Sequence, residues 1–259
     1  MNRTKPLLPE EQELERKRAE LEDKRTLLAD RELELATIRS ALNAFEQVYL
    51  EKVGRLYVEL DELQAQLASL RAAQLGDNDD SSEKVRQAQQ QAGESRAEYE
   101  RRKEVLGPPI ERKEPSQELK SLYRRLAKQF HPDGSLDPQE KTQRSVIMAQ
   151  INEAYARGDV ATLQRMDNEL AISPEAVSGE GIGVELIRVI RKMAQIDGRL
   201  ATLEQEIVQL QESELFQLRA QHEESTRQGR DLLDALAVGI LRRIAETRAQ
   251  IAVLTSSAG

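Results

Sequence analysis

Apolar residues recur along the first part of this chain at the spacing of a long helix packed on another helix. Leu14, Leu21, Leu28, Leu35, Leu42, Tyr49, Leu56, Leu63 and Leu70 follow one another at strict intervals of seven. Up to Leu35 the companion positions are charged (Lys17, Lys24, Arg31), so the stripe is narrow. From Leu35 it widens into a full seam of Leu35, Ile38, Leu42, Phe45, Tyr49, Val53, Leu56, Leu60, Leu63, Leu67 and Leu70. Its alternating steps of three and four predict a coiled coil. Two successive steps of four around Tyr49 and Val53 form a stutter, which locally unwinds a left-handed supercoil. Pro6 and Pro9 mark an extended start over 1–8, and Glu10 and Glu11 suit a first helical turn. The pattern predicts one helix over 9–75, about 100 Å long at 1.5 Å per residue.

Gly76-Asp-Asn-Asp-Asp-Ser-Ser82 interrupts this arm, and a turn is expected over 76–82. A second helix over 83–106 carries only a weak stripe of Val85, Ala88, Ala92, Tyr99 and Leu106, suited to close antiparallel packing on the first arm. Near the other end, Val184, Ile187, Ile190, Ala194, Leu200, Leu203, Ile207 and Leu210 trace another seam. It fades through Glu212–Gly229 and resumes at Leu233, Leu236, Ile240, Ile244, Thr247, Ile251 and Leu254. A C-terminal coiled-coil arm of one or more helices is therefore expected over 184–255, behind a linker at 173–183. Two pairings bury such seams equally well: an antiparallel coil within one chain, or a homodimer. The fold class implied is all-α, with long coiled-coil helices flanking a small helical module at 110–172.

That module has its own pattern. Ser116 suits an N-cap. Leu119, Leu122, Tyr123, Leu126 and Phe130 then share one helical face, and Lys120, Arg124, Arg125 and Lys128 lie elsewhere on the surface. Pro132 ends the helix and pushes His131 out of helical dihedrals. Asp133-Gly134-Ser135 continues as a turn. A helix from about Pro138 to Ala156 follows, its apolar set Val146, Ile147 or Met148, Ile151, Ala154 and Tyr155. Two antiparallel helices joined by a loop can zip these faces together. Asp159 suits the cap of a short helix bearing Leu163, Met166 and Leu170.

Leu122-Tyr-Arg-Arg-Leu-Ala127, His131-Pro132-Asp133 and Met148-Ala-Gln-Ile-Asn-Glu-Ala-Tyr155, in this order and spacing, resemble the J-domain of the DnaJ/Hsp40 family. The resemblance covers about 110–172. It implies a partner, an Hsp70 or DnaK-type chaperone, whose ATP hydrolysis the module stimulates by favouring the ATPase-competent state. Lys120, Arg124, Arg125 and Lys128 are then electrostatic contacts, His131, Pro132 and Asp133 the activating loop, and Leu119, Tyr123, Leu126, Phe130, Met148, Ile151 and Tyr155 the module's core. The family's zinc-binding, Gly/Phe-rich and β-sandwich regions have no counterpart, so the chain is similar to the J-only class, with coiled-coil arms for targeting or oligomerisation. Tyr99…Val105-Leu106-Gly107 is only an approximate counterpart of the family's first helix, and the helix bearing the bases has the end of 83–106 as a candidate support. A coiled-coil scaffold with a vestigial J-fold is the competing expectation.

Composition narrows the rest. Of 259 residues, 3% are aromatic and 32% charged, Trp is absent and the net charge is −8. These values favour long exposed helices over a large core and argue against nucleic-acid or anionic-membrane binding. Cysteine is absent, which removes disulfides, thiolate zinc sites and thiol catalysis. His131 and Asp133 could form an acid–base or metal pair, but the other histidine, His222, is remote and on a polar stretch. Ser178-Gly-Glu-Gly-Ile-Gly183 lacks the Lys-Ser/Thr of a phosphate loop. No catalytic residue, metal or cofactor is expected, and hence no enzyme. The N-terminus lacks a signal-peptide apolar run. Leu232–Leu241 contains Asp234 and is too short to span a bilayer. The expected location is cytoplasmic.

Overall fold

The computed structural model describes residues 8–75, 79–107, 115–170 and 181–256. The expected extended start (apart from Leu8), residues 76–78 of the turn expected over 76–82, the stretch 108–114 and most of the 173–183 linker lie outside the described residues, whereas 79–82 are already helical rather than part of that turn. Among the described residues every regular element is helical and no strand occurs, so the fold is all-α. The helices are α1 (Pro9–Tyr49), α2 (Arg55–Leu75), α3 (Asp79–Leu106), α4 (Gln117–Phe130), α5 (Pro138–Arg157), α6 (Val160–Leu170), α7 (Ile182–Glu212), α8 (Glu214–Arg227) and α9 (Leu232–Ser256). They fall into two compact units, one within Met1–Ala41 and Glu111–Glu212, the other within Leu42–Ile110 and Ser213–Gly259.

In the first unit α1 lies beside α7. Leu14, Leu21, Leu28 and Leu35 are buried against Val189, Met193, Ile196, Leu203 and Ile207. Ion pairs border this seam: Arg18–Glu185 at 2.7 Å, Lys24–Asp197 at 2.5 Å, Arg31–Glu204 at 3.9 Å and Arg39–Glu206 at 2.8 Å. Residue numbers rise together along both helices, so the pair is parallel. This corrects the antiparallel expectation for pairing within one chain. A seam of heptads fixes which face is buried but not direction, and here the flanking charges match in the parallel register. The α7 seam also differs from the one expected. Val184, Ile187 and Ile190 are exposed, and the buried stripe is the neighbouring one through Val189, Met193 and Ile196. Both stripes have helical spacing, and the second continues without a break into Leu203 and Ile207.

The same unit holds α4, α5 and α6. Their common core contains Leu119, Leu122, Tyr123, Leu126, Ala127, Phe130, Met148, Ile151, Ala154, Tyr155, Leu163 and Met166. Ala29 and Leu33 of α1 join this core, with Ala36 packed against it. Thus α1 presents one face to α7 and another to the module. The support of α4 is α1; the end of α3, the candidate from sequence, belongs to the second unit.

In the second unit α3 runs antiparallel to α2: Tyr99 lies against Gly54 while Ser95 donates to Asp61 at 2.6 Å, so residue numbers fall along one helix as they rise along the other, and Arg96 pairs with Glu62 at 2.9 Å. The α2–α9 pair is parallel: Lys52 binds Asp231 and Asp234 at 2.9 and 2.6 Å, and Arg71 donates to Gln250 at 2.8 Å. Phe45, Val53, Leu56, Leu60, Leu233, Ile240 and Ile244 form its core. The stutter appears as one turn of π-helix at Leu50–Gly54, closed by the Arg55 N–H on the Leu50 carbonyl. Its wider turn absorbs the extra residue of the doubled step of four. Gly54 suits this turn, because a Cβ there would meet Leu50 at 3.0 Å and the Tyr99 ring at 3.4 Å.

Candidate functional site

The loop between α4 and α5 is built from local rules. Ser116 accepts the Leu119 N–H at 3.1 Å and starts α4. The helix ends at His131, which is extended (φ −61°, ψ 132°) because Pro132 follows. Pro132–Gly134 form one 3-10 turn, with the Gly134 N–H donating to the His131 carbonyl at 2.9 Å. Asp137 then caps α5 by accepting the Gln139 N–H at 2.7 Å. Ser135 links the two ends, accepting the Asp137 N–H at 3.1 Å and donating to Glu140.

The helix pair is held by the residues of the two motifs. Tyr123 and Tyr155 pack edge to face with centroids 4.9 Å apart. Tyr123 donates its hydroxyl to Asn152 at 2.7 Å, and burial pushes its phenol pKa up. Ile151 and Tyr155 fill the space beneath α4. The Ile-Asn-Glu-Ala-Tyr stretch therefore supplies three core side chains, Ile151, Ala154 and Tyr155, and the acceptor for a buried phenol. Every residue assigned to the module's core is buried in this one cluster: Leu119, Tyr123, Leu126, Phe130, Met148, Ile151 and Tyr155.

The charged residues are disposed differently from the open patch that sequence implies. Arg124 pairs with Asp30 of α1 at 2.6 Å, and Lys128 with Glu22 of α1 at 2.8 Å. Arg125 grips Asp167 of α6 through two nitrogens, at 2.9 and 2.7 Å. Lys120 is half-buried and forms no ion pair among the described residues. Three of the four bases are thus engaged within the chain.

His131 departs most from expectation. It is 5% exposed rather than displayed at a loop tip. Its Nδ1 accepts the Asp133 N–H at 3.1 Å, which leaves Nε2 to donate to the Glu32 carboxylate at 3.0 Å. Glu32, itself 6% exposed, also receives Arg199 of α7 at 2.8 Å. Arg199 continues to Glu206 at 2.8 Å, and Glu206 to Arg39 at 2.8 Å. Burial opposes ionisation of Glu32, yet the hydrogen bonds from His131 and Arg199 outweigh it and hold the carboxyl below its usual range. Asp133 and Pro132 remain half-buried, with Lys141 3.8 Å from the Asp133 carboxylate. His222 lies in the second unit, its ring 5.6 Å from that of Phe45.

Three residues of this site escape a reading of the sequence. Glu32 and Arg199 look like solvated positions on polar helix faces. The available signal for α1 is a second stripe of Ala29, Leu33 and Ala36 at helical spacing, which marks a second packed face around Glu32. Arg144 is the third. Its buried guanidinium donates to the Gln129 carbonyl at 3.1 Å, lies 3.5 Å from that of His131, and meets Glu140 at 2.7 Å. It satisfies the C-terminal carbonyls of α4, which have no partner within the helix.

The site is an α-helical hairpin with a His-Pro-Asp turn and a basic flank, and the stretch that holds it has a J-domain-like relationship to a known chaperone protein. The chain is 35% identical over 83 residues to the chaperone protein DnaJ of Trichormus variabilis, an alignment taking in 32% of this chain and 20% of that protein. The chain thus matches only about a fifth of the length of this relative. No family model matches the chain. No solved structure matches it either. Among the described residues no helix is long and apolar enough to cross a membrane.

Proposed function

We propose that this chain is a co-chaperone that docks on a DnaK-type Hsp70 through α4 and the His131-Pro132-Asp133 turn and stimulates its ATP hydrolysis. The observation that carries the reading is the turn itself, locked between a basic helix and a helix whose Asn152 and Tyr155 complete the module around Tyr123. Similarity to a DnaJ protein supports it. In this reading the bases steer and orient the module on an acidic surface. The turn contributes binding energy that differs between the partner's two states. Bond cleavage belongs to the partner, and the chain supplies neither catalytic group nor cofactor. The long arms serve for targeting, and because their seams are filled within the chain, docking needs no homodimer. A cytoplasmic location follows from the partner.

The test is single-turnover ATP hydrolysis by a DnaK-type Hsp70 at saturating concentrations of the full chain. A rise in rate that His131→Gln removes is expected. Absence of any rise at saturation would overturn the reading. It would favour the second one, a scaffold whose J-fold is vestigial, for which the burial of His131 speaks.

A further inference from the structure

We propose that the α1 segment 22–36, with Arg199 of α7, is a built-in competitor that occupies the docking face and lowers the chain's affinity for its partner until displaced. This inference rests on the Hsp70 reading above.

Three acids of α1 meet three of the residues assigned to docking. Glu22 binds Lys128, Asp30 binds Arg124 and Glu32 binds His131, at 2.8, 2.6 and 3.0 Å. A partner surface that recognises this face must be acidic to satisfy the bases and must offer an acceptor to the His131 ring. The α1 segment already offers both. It thus stands where such a partner would stand, and the two cannot hold Lys128, Arg124 and His131 together. Ala29 and Leu33 anchor the segment against the module core, and Thr37 shares a 2.7 Å hydrogen bond with the Tyr155 hydroxyl.

Two features make the contact releasable. First, the Lys128–Glu22 and Arg124–Asp30 pairs are open to solvent, where such pairs are weak and screened by salt. Second, most of the module's core is its own. Leu126, Ile151, Tyr155 and Leu163 are buried among α4, α5 and α6, whereas α1 adds only Ala29, Leu33 and part of Ala36. The module therefore has a core to keep when α1 leaves. The tight element is Glu32, held between His131 and Arg199 inside the contact. It acts as the latch, and the outer pairs set the register.

A closed form of this kind reduces apparent affinity by the fraction of open molecules and leaves the plateau of stimulation unchanged. The experiment titrates full-length chain into a DnaK-type Hsp70 and reads single-turnover ATP hydrolysis. Glu22→Lys/Asp30→Lys places positive charge against Arg124 and Lys128 while leaving the docking residues intact. We expect half-maximal stimulation at about tenfold lower concentration, with the same plateau. Glu32→Ala removes the latch and must shift the curve in the same direction. Circular dichroism and melting curves confirm that each variant is folded. If neither variant shifts the half-saturating concentration while the unmutated chain stimulates, the competitor is refuted and the docking reading stands. If no form stimulates at saturation, the docking reading fails and the competitor falls with it.

Discussion

Arg144 and Gly134 provide a quantitative check on how the His-Pro-Asp turn is held. Gly134 is not in a left-handed conformation, so backbone strain does not explain a glycine here. A Cβ at this position would instead stand 2.9 Å from Arg144 Nη1, with nothing else within 4 Å. Arg144 is buried, and its guanidinium ties the end of α4 to α5 through Gln129 and Glu140. Arg144→Ala removes one good charge-assisted hydrogen bond to a helix-end carbonyl, about 1.5–3 kcal/mol. It also removes an ion pair to the half-exposed Glu140, about 0.2–1 kcal/mol. The expected loss is therefore about 2–4 kcal/mol. Gly134→Ala displaces the guanidinium without deleting it and should cost about 1–2 kcal/mol, part of the same contribution. The decisive quantity is the coupling. Once Arg144 is Ala, the added methyl at 134 meets nothing, and a more restricted unfolded chain makes the change neutral or stabilising by about 0.4–1 kcal/mol. Urea unfolding of the four proteins, followed by circular dichroism and interpreted at constant slope, gives the cycle. Equal costs of Gly134→Ala in both backgrounds would refute the account of why this position is glycine.

Glu32 gives a pH signature. Its folded pKa is depressed, so its stabilising contribution is full above the ordinary carboxylate pKa, about 4.3, and is lost as pH falls through the lower folded value. The groups facing it are His131 from the turn and Arg199 from α7, with Glu206 and Arg39 behind. The difference in melting temperature between the unmutated chain and Glu32→Gln should therefore hold from pH 7 to about 5 and shrink below about 4; a difference unchanged down to pH 3 would contradict the pairing. In the second unit, Gly54→Val should cost about 1–3 kcal/mol by forcing apart the π turn and Tyr99, and an unchanged urea midpoint would remove the steric role given to Gly54.

The seven-residue spacing of Leu14 through Leu70 carries the helical arms plainly, and even the stutter is legible as the π turn at Leu50–Gly54. The module is legible because its signals are local: a cap at Ser116, a proline stop at Pro132 and a face of five apolar residues. Partner choice is not local. Heptad seams on α1 and α7 say that each helix is buried on one side, but a leucine seam accepts either direction and either a second chain or the same one. Two stripes on α7 were equally apolar, and only packing decides that Val189 and Met193 go inside while Ile187 and Ile190 stay exposed. The covering of His131 was invisible for a similar reason. Glu32 reads as one more acid on an acidic helix, and its role depends on two residues far along the chain, His131 and Arg199.

If α4 and its turn form the docking face for an Hsp70, α1 must yield that face when the partner binds. Hydrogen–deuterium exchange on the full chain, with and without ATP-loaded DnaK-type Hsp70, reads both events at once. Added protection over 119–135 together with faster exchange over 22–36 is the expected result. Protection confined to the arms, with 119–135 unchanged, would contradict it.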